Sequence, residues 1–195
     1  MPIIQQWGVF MSVSFLNRND CFLVVVDIQE RLHAAMEDVF KETYVKNCII
    51  LIETAKAIGL PIVVSEQYPK GLGPTIDEIA VHLVSIPRLE KLFFSCYRED
   101  RIKSAIHASG RKTAVIIGIE THVCVMQTVL DLMEAGYSVV IASDAVCSRR
   151  LHDMHIALDA MAHSGVFVYS TEAIAFMLME KAGTELFKQL SPLFK

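Results

Sequence analysis

Six short apolar runs, separated by stretches of helical period, constrain this chain more than any other feature. The runs cover residues 21–26, 61–65, 87–95, 114–117, 138–142 and 166–169. None alternates cleanly between apolar and polar residues, as a strand with one wet face would. Runs of this kind read as strands of a parallel sheet buried on both faces. Between them, residues 44–58 carry apolar side chains at Val45, Ile49, Ile52 and Ala55 and stop at Gly59, the spacing of a helix. Further helices are predicted over 75–80, 99–109, 121–136, 151–164, 171–181 and 184–190. In the 75–80 segment, Thr75 and Glu78 have capping-box spacing. Strict strand–helix alternation implies a three-layer α/β/α fold with a six-stranded parallel sheet and right-handed crossovers. Ligands in such folds bind beyond the carboxyl ends of the strands. Asp27, Glu66, Glu120 with Cys124, and Asp144 all fall on that edge.

Composition narrows the function classes. The chain has 195 residues and is 53% hydrophobic, enough for one domain with a sizeable core. We read residues 21–195 as that domain and residues 1–20 as an N-terminal arm. Met11 is an alternative start. A net charge of −4 with no basic block weighs against nucleic acid as a partner. No run approaches the ~18 apolar residues of a membrane span. Before Arg18 there is no basic residue, unlike a secretory or transit leader. The five cysteines show no C-x-x-C spacing, which suits free thiols in a reducing compartment. Cytoplasmic location is the expectation, with mitochondrial as the alternative.

The segment Thr113-Ala-Val-Ile-Ile-Gly-Ile-Glu-Thr-His-Val-Cys124 puts a cysteine in the first turn of a helix that follows a buried strand. Thr121 is the expected cap. The free N–H groups and the helix dipole at that position favour a thiolate. The same pattern also fits a small buried hydrophobe, the usual fate of a cysteine.

Three pieces, in order, resemble the isochorismatase-like cysteine hydrolase family: Val26-Asp27-Ile28-Gln29, Lys91 in Glu-Lys-Leu-Phe-Phe-Ser95, and Gly118-Ile-Glu-Thr-His-Val-Cys-Val125. The block Ser65-Glu-Gln-Tyr-Pro-Lys-Gly-Leu-Gly-Pro-Thr75 is similar to the eukaryotic isochorismatase-domain-containing proteins. This resemblance implies an isochorismatase-like, Rossmann-like fold and a triad of Asp27, Lys91 and Cys124. Asp27 would move the proton, Lys91 would hold Asp27, and Cys124 would attack an electrophilic carbon. It further implies an oxyanion hole from the backbone N–H groups of Val123 and Cys124, and a cis peptide between Ile119 and Glu120. Gln29, Tyr68, Phe94, Glu120 and His122 are the expected pocket lining. Metal-dependent nicotinamidases of the family carry a histidine where this chain reads Glu66-Gln67-Tyr68-Pro69. No metal and no cofactor are therefore expected, and nicotinamide is disfavoured as substrate. His122 stands where relatives often have aspartate.

The implied activity is hydrolysis of a small amide or carbamoyl C–N bond through a covalent acyl-enzyme, in a homo-oligomer of two or more subunits. Two alternatives stay open. One is a silent binding or scaffold member of the family. The other is a ribonuclease, after relatives labelled mitochondrial-associated ribonuclease. His152 and His155 lie one turn apart and read as a surface pair.

Overall fold

A computed structural model describes residues 15–195. The elements run β1 (Cys21–Val26), α1 (Glu30–Ala34), α2 (Asp38–Ala57), β2 (Ile62–Gln67), α3 (Pro69–Leu72), α4 (Asp77–Ala80), β3 (Arg88–Lys91) and α5 (Asp100–Ala108). They continue with β4 (Thr113–Ile119), α6 (Met126–Glu134), β5 (Ser138–Cys147), α7 (Leu151–His163), β6 (Phe167–Tyr169), α8 (Thr171–Met179) and α9 (Glu185–Leu190). The six strands form one sheet in the order β3-β2-β1-β4-β5-β6, and every pairing is parallel. This is the α/β fold that the apolar runs imply.

Alternate residues of each central strand feed two separate cores. Leu23 and Val25 of β1, with Val115 and Ile117 of β4, pack against α2 and α8. Phe22, Val24 and Val26, with Ala114 and Ile116, face α5, α6 and α7. Both faces are covered, so neither needs polar side chains, and alternation is absent for that reason. Each fully buried aliphatic side chain contributes roughly 1.5–3 kcal/mol by leaving water.

The structure departs from the sequence reading at several ends. Helix α2 starts at Asp38, about two turns before the first apolar residue of its stripe, Val45. Strand β5 runs five residues past the expected end, to Cys147. Its pairing with β4 shifts register between Ile116 and Gly118, so the added residues stay in the sheet. Thr75 is not a helix cap: its N–H and hydroxyl both donate to Glu66 Oε1, at 2.8 and 2.7 Å, and α4 begins without a side-chain cap. A buried carboxylate outcompetes the helix end for that hydroxyl.

Residues 1–14 of the expected arm lie outside the described residues. Residues 16–20 pack on the domain: Leu16 is buried in the α2 core, and the Asp20 carbonyl accepts from the N–H groups of Lys112 and Thr113. Among the described residues, no helix is long and apolar enough to cross a membrane.

Candidate active site

The register gathers the site. Val26 lies opposite Ser65 on one side and Gly118 on the other, and Gln67 lies opposite Lys91. The carboxyl ends of β1, β2, β3 and β4 therefore deliver Asp27, Ser65, Gln67, Lys91 and the cysteine turn to one place. Gly118 permits this closeness. Its φ is +117°, and a Cβ there would sit 2.1 Å from the Val26 carbonyl oxygen. Only glycine fits. Asp27, at φ +48°, occupies the left-handed region that aspartate tolerates better than most residues.

Asp27 and Lys91 form an ion pair, Oδ2 to Nζ, at 2.7 Å, with both side chains fully buried. The ammonium also reaches Gln67 Oε1 at 2.6 Å, the Phe94 carbonyl at 2.9 Å and the Phe93 carbonyl at 3.2 Å. Ser65 Oγ donates to the other oxygen, Oδ1, at 2.7 Å. Burial pushes the Lys91 ammonium toward losing its proton, but Asp27, followed by Cys96 and Cys124, pulls the other way and wins. Its pKa is raised.

Cys124 lies in a single π-helical turn, Thr121–Val125, which leads into α6. It is 5% exposed, and its thiol lies beside the Asp27 carboxylate. Burial, then the Asp27 carboxylate, push the Cys124 thiol far above its ordinary value, and Lys91 offsets this only in part. The helix-start effect is outweighed by desolvation and by a negative neighbour. Thr121 is not the cap either. The cap position belongs to Glu120, and the Thr121 hydroxyl is buried without a hydrogen-bond partner within the protein.

The other expected site residues divide clearly. The Ile119–Glu120 peptide is cis. Val123 N–H donates to the Glu120 carbonyl at 3.0 Å, so it would have to be shared or released to serve an oxyanion. Glu120 is buried and accepts from the Arg149 N–H at 3.1 Å and its Nε at 3.0 Å. His122 Nδ1 meets Ser148 Oγ at 3.0 Å, and its Nε2 lies 4.0 Å from Asp153. Gln29 is fully buried and spent on structure: its amide donates to the carbonyls of Gln67 and Gly73 and accepts from the Gln67 N–H. Tyr68 and Phe94 are more than half exposed. Tyr68 lines a cavity of about 380 Å³ with Glu90, Lys91, Leu92, Glu99 and Arg101, whereas Phe94 contributes its carbonyl to Lys91. His152 and His155 are both exposed, on α7. Among the described residues, no three His, Cys, Asp or Glu side chains gather as a set of metal ligands.

Sequence reasoning missed Ser65, Gln67, Cys96 and Thr128. The Cys96 thiol donates to Ser65 Oγ at 3.3 Å. Its N–H donates to Thr128 Oγ1 at 2.9 Å, and Thr128 Oγ1 donates to the Cys124 carbonyl at 2.7 Å. The available signal was position: Ser65 and Gln67 end the strand that lies between those carrying Asp27 and Lys91.

Comparison with known proteins matches residues 21–173 to the isochorismatase domain. Isochorismatase family protein 1A of Dictyostelium discoideum is 37% identical over 187 residues, covering 93% of this chain and 89% of that protein. Among solved structures, the MAR1 ribonuclease from Caenorhabditis elegans superposes with a TM-score of 0.85 at 30% identity, covering 92% of each chain. The YcaC gene product from Escherichia coli, described as an octameric hydrolase of unknown specificity, gives a TM-score of 0.86 at 25% identity, covering 92% of this chain and 88% of that one.

Proposed function

The chain belongs to the isochorismatase family, and from that premise we propose that it is a cysteine-dependent hydrolase of a small amide or carbamoyl compound. The observation that carries the reading is the buried Asp27–Lys91 pair in contact with the Cys124 thiol. Burying two charges is costly, and nothing in the sheet requires them there. Asp27 Oδ2 takes the thiol proton as Cys124 Sγ bonds to the carbonyl carbon, giving a tetrahedral oxyanion. The C–N bond then breaks as Asp27 returns the proton to the leaving nitrogen, and a thioester remains. Water attacks the thioester with its proton passing to Asp27. Collapse breaks the C–S bond, releases the acid and restores the thiol. Lys91 stays protonated throughout and holds Asp27 in place between steps.

Burial and the neighbouring carboxylate both disfavour a charged Cys124, which supports a division of labour in which a base takes the thiol proton as the bond forms. Backbone N–H groups of the 121–125 turn, that of Cys124 first, are the oxyanion donors in this scheme. The octameric relative supports a homo-oligomer. The test is ammonia release from a panel of primary amides and carbamoyl compounds, comparing wild type with Cys124→Ala and Asp27→Asn. Activity lost in both variants supports the reading, and activity retained in Cys124→Ala overturns it. The ribonuclease relative motivates one competing reading. Cleavage of RNA that is abolished in Cys124→Ala, with no amide turnover, would put that reading first.

A further inference from the structure

The hydrogen bonds behind the triad form a chain from Asp27 to the Cys124 backbone. Asp27 Oδ1 accepts from Ser65 Oγ at 2.7 Å. Ser65 Oγ accepts from Cys96 Sγ at 3.3 Å. The Cys96 N–H donates to Thr128 Oγ1 at 2.9 Å, and Thr128 Oγ1 returns to the Cys124 carbonyl at 2.7 Å. Ser65, Cys96 and Thr128 are all fully buried. A hydroxyl has one proton to give. Because the Cys96 thiol occupies a lone pair of Ser65, the serine proton is directed at Asp27 rather than shared with another acceptor.

We propose that Ser65 is a positioning residue that sets the basicity of Asp27, with Cys96 orienting its hydroxyl. This rests on the reading of Asp27 as the base for Cys124. The groups facing Asp27 are few: Lys91 at the end of β3, Ser65 at the end of β2, and the thiols of Cys96 and Cys124. Ser65 differs from Lys91 in carrying no charge and from the thiols in being a hydroxyl, a stronger donor, at 2.7 Å from Oδ1. Such a bond stabilises the ionised carboxylate and weakens it as a base. An Asp27 held only by Lys91 would be a stronger base, protonated at higher pH.

The consequence is specific. With one proton shared by the pair, a small fixed fraction exists as thiolate with protonated Asp27, and that fraction reacts with electrophiles. The rate of Cys124 alkylation then rises with pH through an acid limb set by Asp27, reaches a plateau, and rises again when the pair loses its last proton. Removing the serine hydroxyl moves the acid limb to higher pH by about one unit. It also raises the plateau, since a stronger base holds the thiol proton more of the time. A residue that merely supported packing would lower the plateau and leave the limb in place.

The experiment is the pH dependence of Cys124 alkylation by iodoacetamide, followed by peptide mass spectrometry on the full chain, in wild type, Asp27→Asn, Ser65→Ala, Ser65→Thr and Ser65→Cys. The expected result is an acid limb in wild type that is absent in Asp27→Asn. It should shift upward by about one unit in Ser65→Ala and hold its place in Ser65→Thr, which keeps the hydroxyl. Ser65→Cys, nearly isosteric with a weaker donor, should shift it in the same direction by less, and it carries the test if Ser65→Ala does not fold. A wild-type limb that stays put in both Ser65→Ala and Ser65→Cys would overturn the role of Ser65 while leaving Asp27 as the base. No limb in wild type would overturn the base itself, and this inference with it.

Discussion

Replacing Lys91 with methionine keeps most of the side-chain volume and removes the charge. Asp27 is then left as a carboxylate with no cation, at a position with no exposure to water. Breaking a buried ion pair from one side typically costs about 3–5 kcal/mol. The Phe93 and Phe94 carbonyls also lose a donor, but both residues are more than half exposed and water can replace it. Gln67 Oε1 is buried and cannot be rescued in that way. The loss at pH 7 should therefore reach about 3–5 kcal/mol, a third or more of the stability of an ordinary domain. A carboxyl without its cation is easier to protonate, and the protonated form is cheap to bury. The deficit should accordingly shrink as pH falls from 7 toward 4. Lys91→Met combined with Asp27→Asn leaves no buried charge and should recover most of the loss. Asparagine is the right partner because it accepts the left-handed backbone at φ +48°. The assay is urea unfolding of the two single variants and the double variant at pH 7 and pH 4.5. A loss below about 1 kcal/mol in Lys91→Met, or no recovery in the double variant, would refute this account of the pair.

Other consequences can be measured independently. Gly118→Ala places a methyl carbon 2.1 Å from the Val26 carbonyl oxygen, so the β1–β4 contact must open; thermal melts should show a loss of at least about 2 kcal/mol, and an unchanged melt would contradict the close approach. Burial raises the pKa of all five cysteines above the ordinary value of 9.0, Cys21 to about 12 and Cys147 to about 11. The folded state then holds thiol protons that the unfolded chain releases. This contribution is fully present below pH 9 and is lost as pH rises, by about 1.4 kcal/mol per pH unit per thiol; urea unfolding at pH 8 and pH 10 should differ steeply, and a flat profile would argue against buried neutral thiols. Gln29→Leu breaks three buried hydrogen bonds that tie the segment after β1 to Gln67 and Gly73. It should lower stability by about 2–4 kcal/mol and leave KM for a turned-over amide unchanged, whereas a raised KM in a stable variant would return Gln29 to the pocket.

The parts of the fold that were readable in the sequence are those fixed by local pattern. Apolar runs without alternation located β1, β2 and β4 to within a residue or two, because strands buried on both faces tolerate little else. Helix ends were less readable. The first turn of α2 lies before its apolar stripe and carries no signal of period, and Thr75 has the right spacing for a cap yet bonds Glu66 across the chain. The site follows the same division. Asp27, Lys91 and Cys124 stand in recognisable segments, and the register of the sheet brings all three to one edge. The chain of hydrogen bonds through Ser65, Cys96 and Thr128 joins residues 31 and 32 positions apart, and no single segment shows it. The upward shift of the Cys124 thiol was not readable for a related reason: the helix start is local, but the desolvation and the carboxylate behind the shift are tertiary.

The central claim is that Cys124 carries the substrate's acyl group while Asp27 moves the proton. The measurement that tests it most directly is acid-quenched turnover of the best amide from the panel, with the intact protein and its peptides read by mass spectrometry. The account predicts a mass increase equal to the acyl group, mapped to the peptide that contains Cys124, labile to hydroxylamine and absent in Cys124→Ala. Turnover with no adduct on Cys124, persisting in Cys124→Ala, would contradict it.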